Sequence, residues 1–280
     1  MTSTKEVYFC TNIFNYNQTN MNTVIVPLDF SDASINAAEY AVQLLNGHDN
    51  INMILYHAYD KDWESEASEE KLAKLKTGFE KKGNLNITIT TEKDEFIHGI
   101  EKLIRHKRAD LVIMGNSGHS PLAQVFMSSN TLKLSETKAC PVLIIPANTT
   151  FNEVKNVMLA SDFKNARTTT PSGPIKNFLH TIKANLNIVN VNSEHYVALT
   201  EEFEKEKEDL ESMFAEFNPE FYFVRMYDVN DALNQFTTDK NIDLIITIQR
   251  QHSLLFRRFR SSHIKNLTNN SSVPVLVVHE

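Results

Sequence analysis

The chain has 280 residues, 41% of them apolar and 22% charged, which is the composition of a folded protein long enough for two domains and excludes a disordered or fibrous one. Its formal net charge of −7 is spread evenly, with 13 basic against 17 acidic residues in 21–152 and 14 against 17 in 153–280, so neither half is the basic module that general nucleic-acid binding requires. Two cysteines, Cys10 and Cys140, exclude a disulfide framework and a thiolate metal cluster; no apolar run reaches the roughly 18 residues of a membrane span, the N-terminal stretch lacks the apolar core of a secretory signal, and a cytoplasmic protein with no membrane partner is expected.

Residues 1–20 read as a tail rich in Asn and Thr, and removing them is expected to change stability little. The first domain, 21–148, offers five short β-branched runs, TVIVPL, NMILYHA, NITITT, DLVIMG and PVLIIP, whose near-continuous apolar character suits strands covered on both faces. Between them SINAAEYAVQLL, SEEKLAKLKTGFEKK and DEFIHGIEKLIRHK repeat apolar residues three and four apart and predict helices; Ser31 or Asp32 can cap the first. The charges around Trp63 predict a mobile segment after the second strand, and Cys140 reads as a small buried apolar residue. After a short link near ANTTFNEV the second domain, 153–280, gives KNVMLA, LNIVNV, FYFVRM, DLIITI and PVLVVH. Within it EEFEKEKEDLE mixes charges at i, i+4 spacing, as a solvated helix face does. Strands alternating with helices imply right-handed crossovers and a five-stranded parallel sheet flanked by helices in each domain, an α/β fold.

The two domains repeat one another. Asp29-Phe30 answers Asp162-Phe163, Asp110-Leu111 answers Asp243-Leu244, His119-Ser120 answers His252-Ser253, Ser128-Ser129 answers Ser261-Ser262, and Pro141 answers Pro274, every pair 133 positions apart. A period this long marks a duplicated domain and not a solenoid, whose repeats run at roughly 20 to 50 residues.

In an open parallel sheet, ligands bind beyond the carboxyl ends of the strands. Three groups of the first domain fall there by topology: Asp29 after strand one, His57 and Ala58 closing strand two, and Gly115 to Gly118 after strand four. Gly115 and Gly118 can take positive φ and expose backbone N–H groups to an anion, and Ser128, Ser129 and Thr131 stand near an expected helix start, where free N–H groups favour negative charge. Two glycines three apart also serve ordinary tight turns.

Strand one ending in an aspartate, the phrase MGNSGHS, a nine-residue gap, a small-hydroxyl cluster and then CPVLIIP together resemble the universal stress protein (Usp) family, in tandem over nearly the whole chain. The resemblance implies two Rossmann-like domains of the adenine nucleotide α-hydrolase-like type. It implies ATP or AMP in the first domain, with Mg accompanying ATP. Asp29, beside Pro27, would lie against the adenosine, and His57 and Ala58 against the base. The phosphates would meet the backbone at Gly115 and Gly118 and the hydroxyls of Ser129 and Thr131, with Met114, His119, Ser128 and Asn130 completing the nucleotide-binding set. The nucleotide-binding branch has a third glycine where this chain has Ser128, whose Cβ is expected to crowd the outer phosphates. In the second domain Ile248 and Gln251 replace Gly115 and Gly118, so its nucleotide site is expected to be dead. There RQHSLLFRRFRSSHIK carries Arg250, Arg257, Arg258 and Arg260, which either hold an anion by charge or line a solvated loop. The resemblance further implies that the two final strands meet across an approximate two-fold, and that two chains pair as a homodimer.

Gly115 to His119 does not have the spacing of a Gly-x-Ser-x-Gly nucleophile elbow, and the histidines form no ligand pair beside carboxylates. His57 reads as a strand-end histidine with a satisfied ring. With no base, nucleophile or metal set in the crevice, no enzymatic function is expected beyond slow, incidental ATP hydrolysis. The rival readings are a partner-binding stress protein with both pockets empty and an adenylating enzyme or ATP pyrophosphatase. The latter needs a Ser-Gly-Gly loop where LDFSDAS stands.

Overall fold

In a computed structural model, residues 21–116, 127–192, 200–250, 267 and 271–280 are described. The tail 1–20 lies outside them, and so do Gly118, His119, Arg257, Arg258 and Arg260. The first domain runs β1 (Thr23–Pro27), α1 (Asp32–Leu44), β2 (Asn52–Tyr59), α2 (Ser65–Glu80), β3 (Asn86–Lys93), α3 (Phe96–Lys107), β4 (Leu111–Asn116), α4 (Met127–Glu136) and β5 (Val142–Pro146). The second runs β6 (Asn156–Ala160), α5 (Ala166–Thr169), α6 (Ser172–Ile182), β7 (Asn185–Asn192), α7 (Glu201–Met213), β8 (Glu220–Arg225), α8 (Val229–Asp239), β9 (Leu244–Gln249) and β10 (Val275–His279). Every apolar run singled out in the sequence is a strand. Ser31, not Asp32, caps α1: its backbone is extended and its hydroxyl accepts from Ser34 N. The segment around Trp63 forms a single 3-10 turn, Asp62–Glu64, with the indole 73% exposed.

Within each domain the strands are parallel, and the two sheets merge into one of ten strands, in the order β3-β2-β1-β4-β5-β10-β9-β6-β7-β8. The join is antiparallel, between β5 and β10. Leu143 faces Leu276, its own counterpart 133 positions on, and the flanking pairs Val142–Val277 and Ile144–Val275 exchange under the same shift. An approximate two-fold therefore passes through that leucine pair, as expected for the two final strands. One face of the sheet is covered by α1, α2, α6 and α7, the other by α3, α4 and α8, and each face has its own apolar cluster. Cys140 is buried there, and its thiol is pushed up to about 12, first by burial and then by the Asp110 charge.

The repeat extends to single hydrogen bonds. Asp110 Oδ2 accepts from the backbone N–H of Asn22 and Thr23 at 2.8 and 2.9 Å; Asp243 Oδ2 accepts from Lys155 and Asn156 at the same distances. The aspartates recur because each ties the start of its domain's first strand to the entry of the strand beside it. The repeat breaks at the helix after the first strand. Pro171 and Pro174 stand where the first domain has Ala38 and Ala41, and the counterpart of α1 is split into α5 and α6.

Candidate functional site

The carboxyl ends of β1, β2 and β4 converge in the first domain. At the end of β1, Pro27 is buried and Asp29 is exposed. Asp29 Oδ1 accepts from Ser31 N at 3.0 Å and Ser31 Oγ at 2.6 Å, so the carboxylate shapes the turn that starts α1. Phe30, between them, holds φ at 63°, a left-handed backbone rare for a bulky residue, and Phe163 repeats it at 54°. On β2, His57 Nδ1 donates to Leu28 O at 2.6 Å, which fixes the proton on that nitrogen; in the second domain Asn190 Nδ2 makes the same bond to Ser161 O at 3.0 Å. The ring of His57 is thus satisfied by the strand beside it, as expected, and it lies 4.6 Å from Phe30. Ala58, next along β2, is half-buried.

Met114 is fully buried in the cluster against α3 and α4, on β4. Gly115 follows it in strand geometry and not at positive φ, which corrects the expectation of a flexible turn at this position. Its lack of a side chain serves close approach: a Cβ there would stand 2.3 Å from Ala33 O and 3.2 Å from Ser34 N, in the first turn of α1. Ser128, Ser129 and Asn130 lie in α4, whose described part begins at Met127. Thr131 is buried and its hydroxyl donates to Gly115 O at 3.3 Å, tying α4 to the end of β4. Gly118 and His119 lie outside the described residues, so their relation to this cluster is not part of the geometry.

The second crevice is arranged differently, through a contact that the sequence reading missed. Arg250, at the position of Ser117, places Nη1 2.5 Å from Asp162 Oδ1 and donates to Lys164 O at 3.1 Å. Its side chain is only 12% exposed. The guanidinium therefore ties the end of β9 to the loop after β6. Among the described residues no cation pairs with Asp29. The signal was present in the sequence: an aspartate kept in both copies, and an arginine appearing only where the glycines are lost. No group of three or more His, Cys, Asp or Glu among the described residues could hold a metal ion, and no helix among them is long and apolar enough to cross a membrane.

Fold and repeat define a duplicated α/β protein whose two sheets join into one. A model of the universal stress protein family matches residues 21–146 and 180–279, most of the chain, which therefore belongs to that family. Universal stress protein MJ0531 of Methanocaldococcus jannaschii is 24% identical over 155 residues, 49% of this chain and 89% of the relative. A universal stress protein from Archaeoglobus fulgidus superposes with a TM-score of 0.67 at 16% identity, over 94% of this chain and 97% of that one. The cytoplasmic domain of a prokaryotic cation chloride cotransporter superposes at 0.58 with 11% identity, over 92% and 95%. The same tandem fold thus serves proteins of different kinds, and function has to be argued from the site.

Proposed function

We propose that the first domain binds an adenine nucleotide, ATP or AMP, as a regulatory ligand, and that the second domain serves pairing and signalling without a nucleotide of its own. The observation that carries this reading is the asymmetry of one conserved position within the chain. Asp29 is exposed and without a cationic partner among the described residues, whereas Asp162 is held by Arg250. Asp29 would meet the adenosine, His57 and Ala58 the base, and the backbone around Gly115 and the first turn of α4 the phosphates, where the helix dipole favours negative charge. Any magnesium would arrive on the phosphates of ATP, since the described residues offer no acidic cage for it. Pairing of two chains into a four-domain assembly, in the cytoplasm, belongs to the same reading; β5 and β10 are already used within the chain, so a pair must use another surface. The bond from Thr131 to Gly115 O favours the rival in which both pockets are empty and the protein acts through partners. Nucleotide released from the purified full chain and identified by mass spectrometry separates the two. Adenine nucleotide near one per chain supports the proposal, and its absence together with no binding on titration supports the rival.

A further inference from the structure

We propose that the groove between α1 and α2 is a docking site for a partner protein, and that its occupant is an acidic helix carrying an aromatic side chain. The groove has a volume of about 460 Å³. Phe30, Ile35, Leu75 and Phe79 form its apolar floor, and Lys71, Lys74 and Lys82 stand at its rim. Lys82 is engaged with Glu39 at 2.9 Å, but Lys71 and Lys74 enter no ion pair among the described residues. Two ammonium groups beside exposed apolar surface favour a ligand that brings both carboxylates and a ring.

The second domain shows what fills this place when it is filled. Phe163, the counterpart of Phe30, is 3% exposed beneath the rings of Phe203, Phe221 and Phe223, at 5.1, 6.1 and 5.6 Å. Phe203 comes from α7, the counterpart of α2, and is flanked by Glu201, Glu202 and Glu204. In the first domain Lys71 takes that place, its Nζ 5.0 Å from the Phe30 ring, and Phe30 is left half-buried. One copy of the fold thus supplies an aromatic ring on an acidic helix to its own strand-end phenylalanine. The other copy has Glu70 at the position of Phe203, sets the Lys71 ammonium over the phenylalanine instead, and leaves that ring half-buried, with room for a ring from outside. Insertion of a helix by one apolar anchor into a groove with complementary charge at the rim is a common mode of peptide recognition. The groove adjoins the proposed nucleotide site through Phe30, 4.6 Å from His57, but Lys71 and Lys74 lie outside that site, so the lysine variants test the groove separately.

The test uses the full chain and a fluorescein-labelled synthetic peptide with the sequence of residues 199–213, LTEEFEKEKEDLESM, followed by fluorescence anisotropy. Saturable one-to-one binding is expected, weakening as salt is raised to about 0.3 M. Binding should fall at least about tenfold in the Lys71→Glu/Lys74→Glu protein and about as much when the peptide carries Phe203→Ala, a tenfold change being about 1.4 kcal/mol. Both lysines are exposed, so the variant should fold; Lys71→Gln/Lys74→Gln, which removes charge without reversing it, should give an intermediate loss. Absence of binding, or binding unchanged in both lysine variants, overturns the proposal, the second result placing the peptide elsewhere, for instance against Phe163. A dimer of the full chain that depends on Lys71 would assign the groove to a second copy and equally overturn the heterologous partner.

Discussion

Replacing Gly115 by alanine should cost the protein about 2 to 4 kcal/mol, although the change adds one methyl group. The ideal Cβ lies 2.3 Å from Ala33 O and 2.7 Å from Ala33 C, where a carbon and a carbonyl oxygen normally stand about 3.3 Å or more apart, so the first turn of α1 must retreat by roughly 1 Å. Overpacking of this kind costs about 1 to 3 kcal/mol. The retreat also disturbs the cap, because Ser34 N, 3.2 Å from that Cβ, is the donor held by Ser31 Oγ at 3.3 Å, and losing a cap costs about 1 kcal/mol more. At about 2 to 4 °C per kcal/mol for a domain of this size, the melting temperature should fall by roughly 4 to 16 °C. Thermal and urea unfolding followed by circular dichroism measures it, with the urea slope unchanged if only the native state is strained. A loss below about 0.5 kcal/mol would refute the reasoning, since it would mean that α1 is not held against β4 at this glycine.

The other expectations follow the duplication. Gly99→Ala should be destabilising alone, because its Cβ would stand 2.3 Å from Tyr56 Oη, yet should cost little further in a Tyr56→Val background, the pair that the second domain uses as Val189 and Ala232; a double-mutant cycle in urea reads the coupling, and additive losses would contradict it. Asp110→Ala and Asp243→Ala each remove two backbone hydrogen bonds at equivalent sites and should cost similar amounts, about 1 to 3 kcal/mol by chemical denaturation; a large difference would show that the two strand entries are not equivalent. In calorimetric titration Asp29→Ala should weaken ATP and adenosine alike, while Ser128→Gly should strengthen ATP more than AMP; the opposite ranking would move the Asp29 contact to the phosphates or remove the crowding assigned to Ser128.

The strands were legible because buried parallel strands read as unbroken apolar runs, and the duplication because Asp29, Asp110, Ser128 and Pro141 keep one spacing to their counterparts. The merging of two sheets into one was not written in that pattern: a strand covered on both faces looks the same whether its edge is free or paired, so only the family resemblance pointed to β5 against β10. The split of the second domain's helix went unread in the sequence, although Pro171 and Pro174 signal it: a proline is tolerated at or before the first turn of α6 but not in the middle of a continuous helix, where Ala38 and Ala41 stand in α1. Gly115 was read as a flexible turn because sequence shows that a side chain is absent and not why; the reason is the backbone of Ala33 across the sheet face. Arg250 escaped because its partner, Asp162, lies 88 positions away and only the fold brings them together. The exchange of Lys71 for the Phe203 ring was hidden because the Phe30 and Phe163 surroundings become comparable only once the helices are in place.

The central claim is one nucleotide site per chain, in the first domain. Titration calorimetry of the full chain with ATP tests it most directly when wild type, Gly118→Gln and Asp162→Ala are compared. Gly118→Gln copies the residue of the second domain into the first. The account predicts a stoichiometry of about one per chain, lost in Gly118→Gln, where several phosphate hydrogen bonds worth roughly 2 kcal/mol or more would go, and retained in Asp162→Ala. Two sites per chain, or a single site that survives Gly118→Gln and disappears with Asp162→Ala, would contradict it.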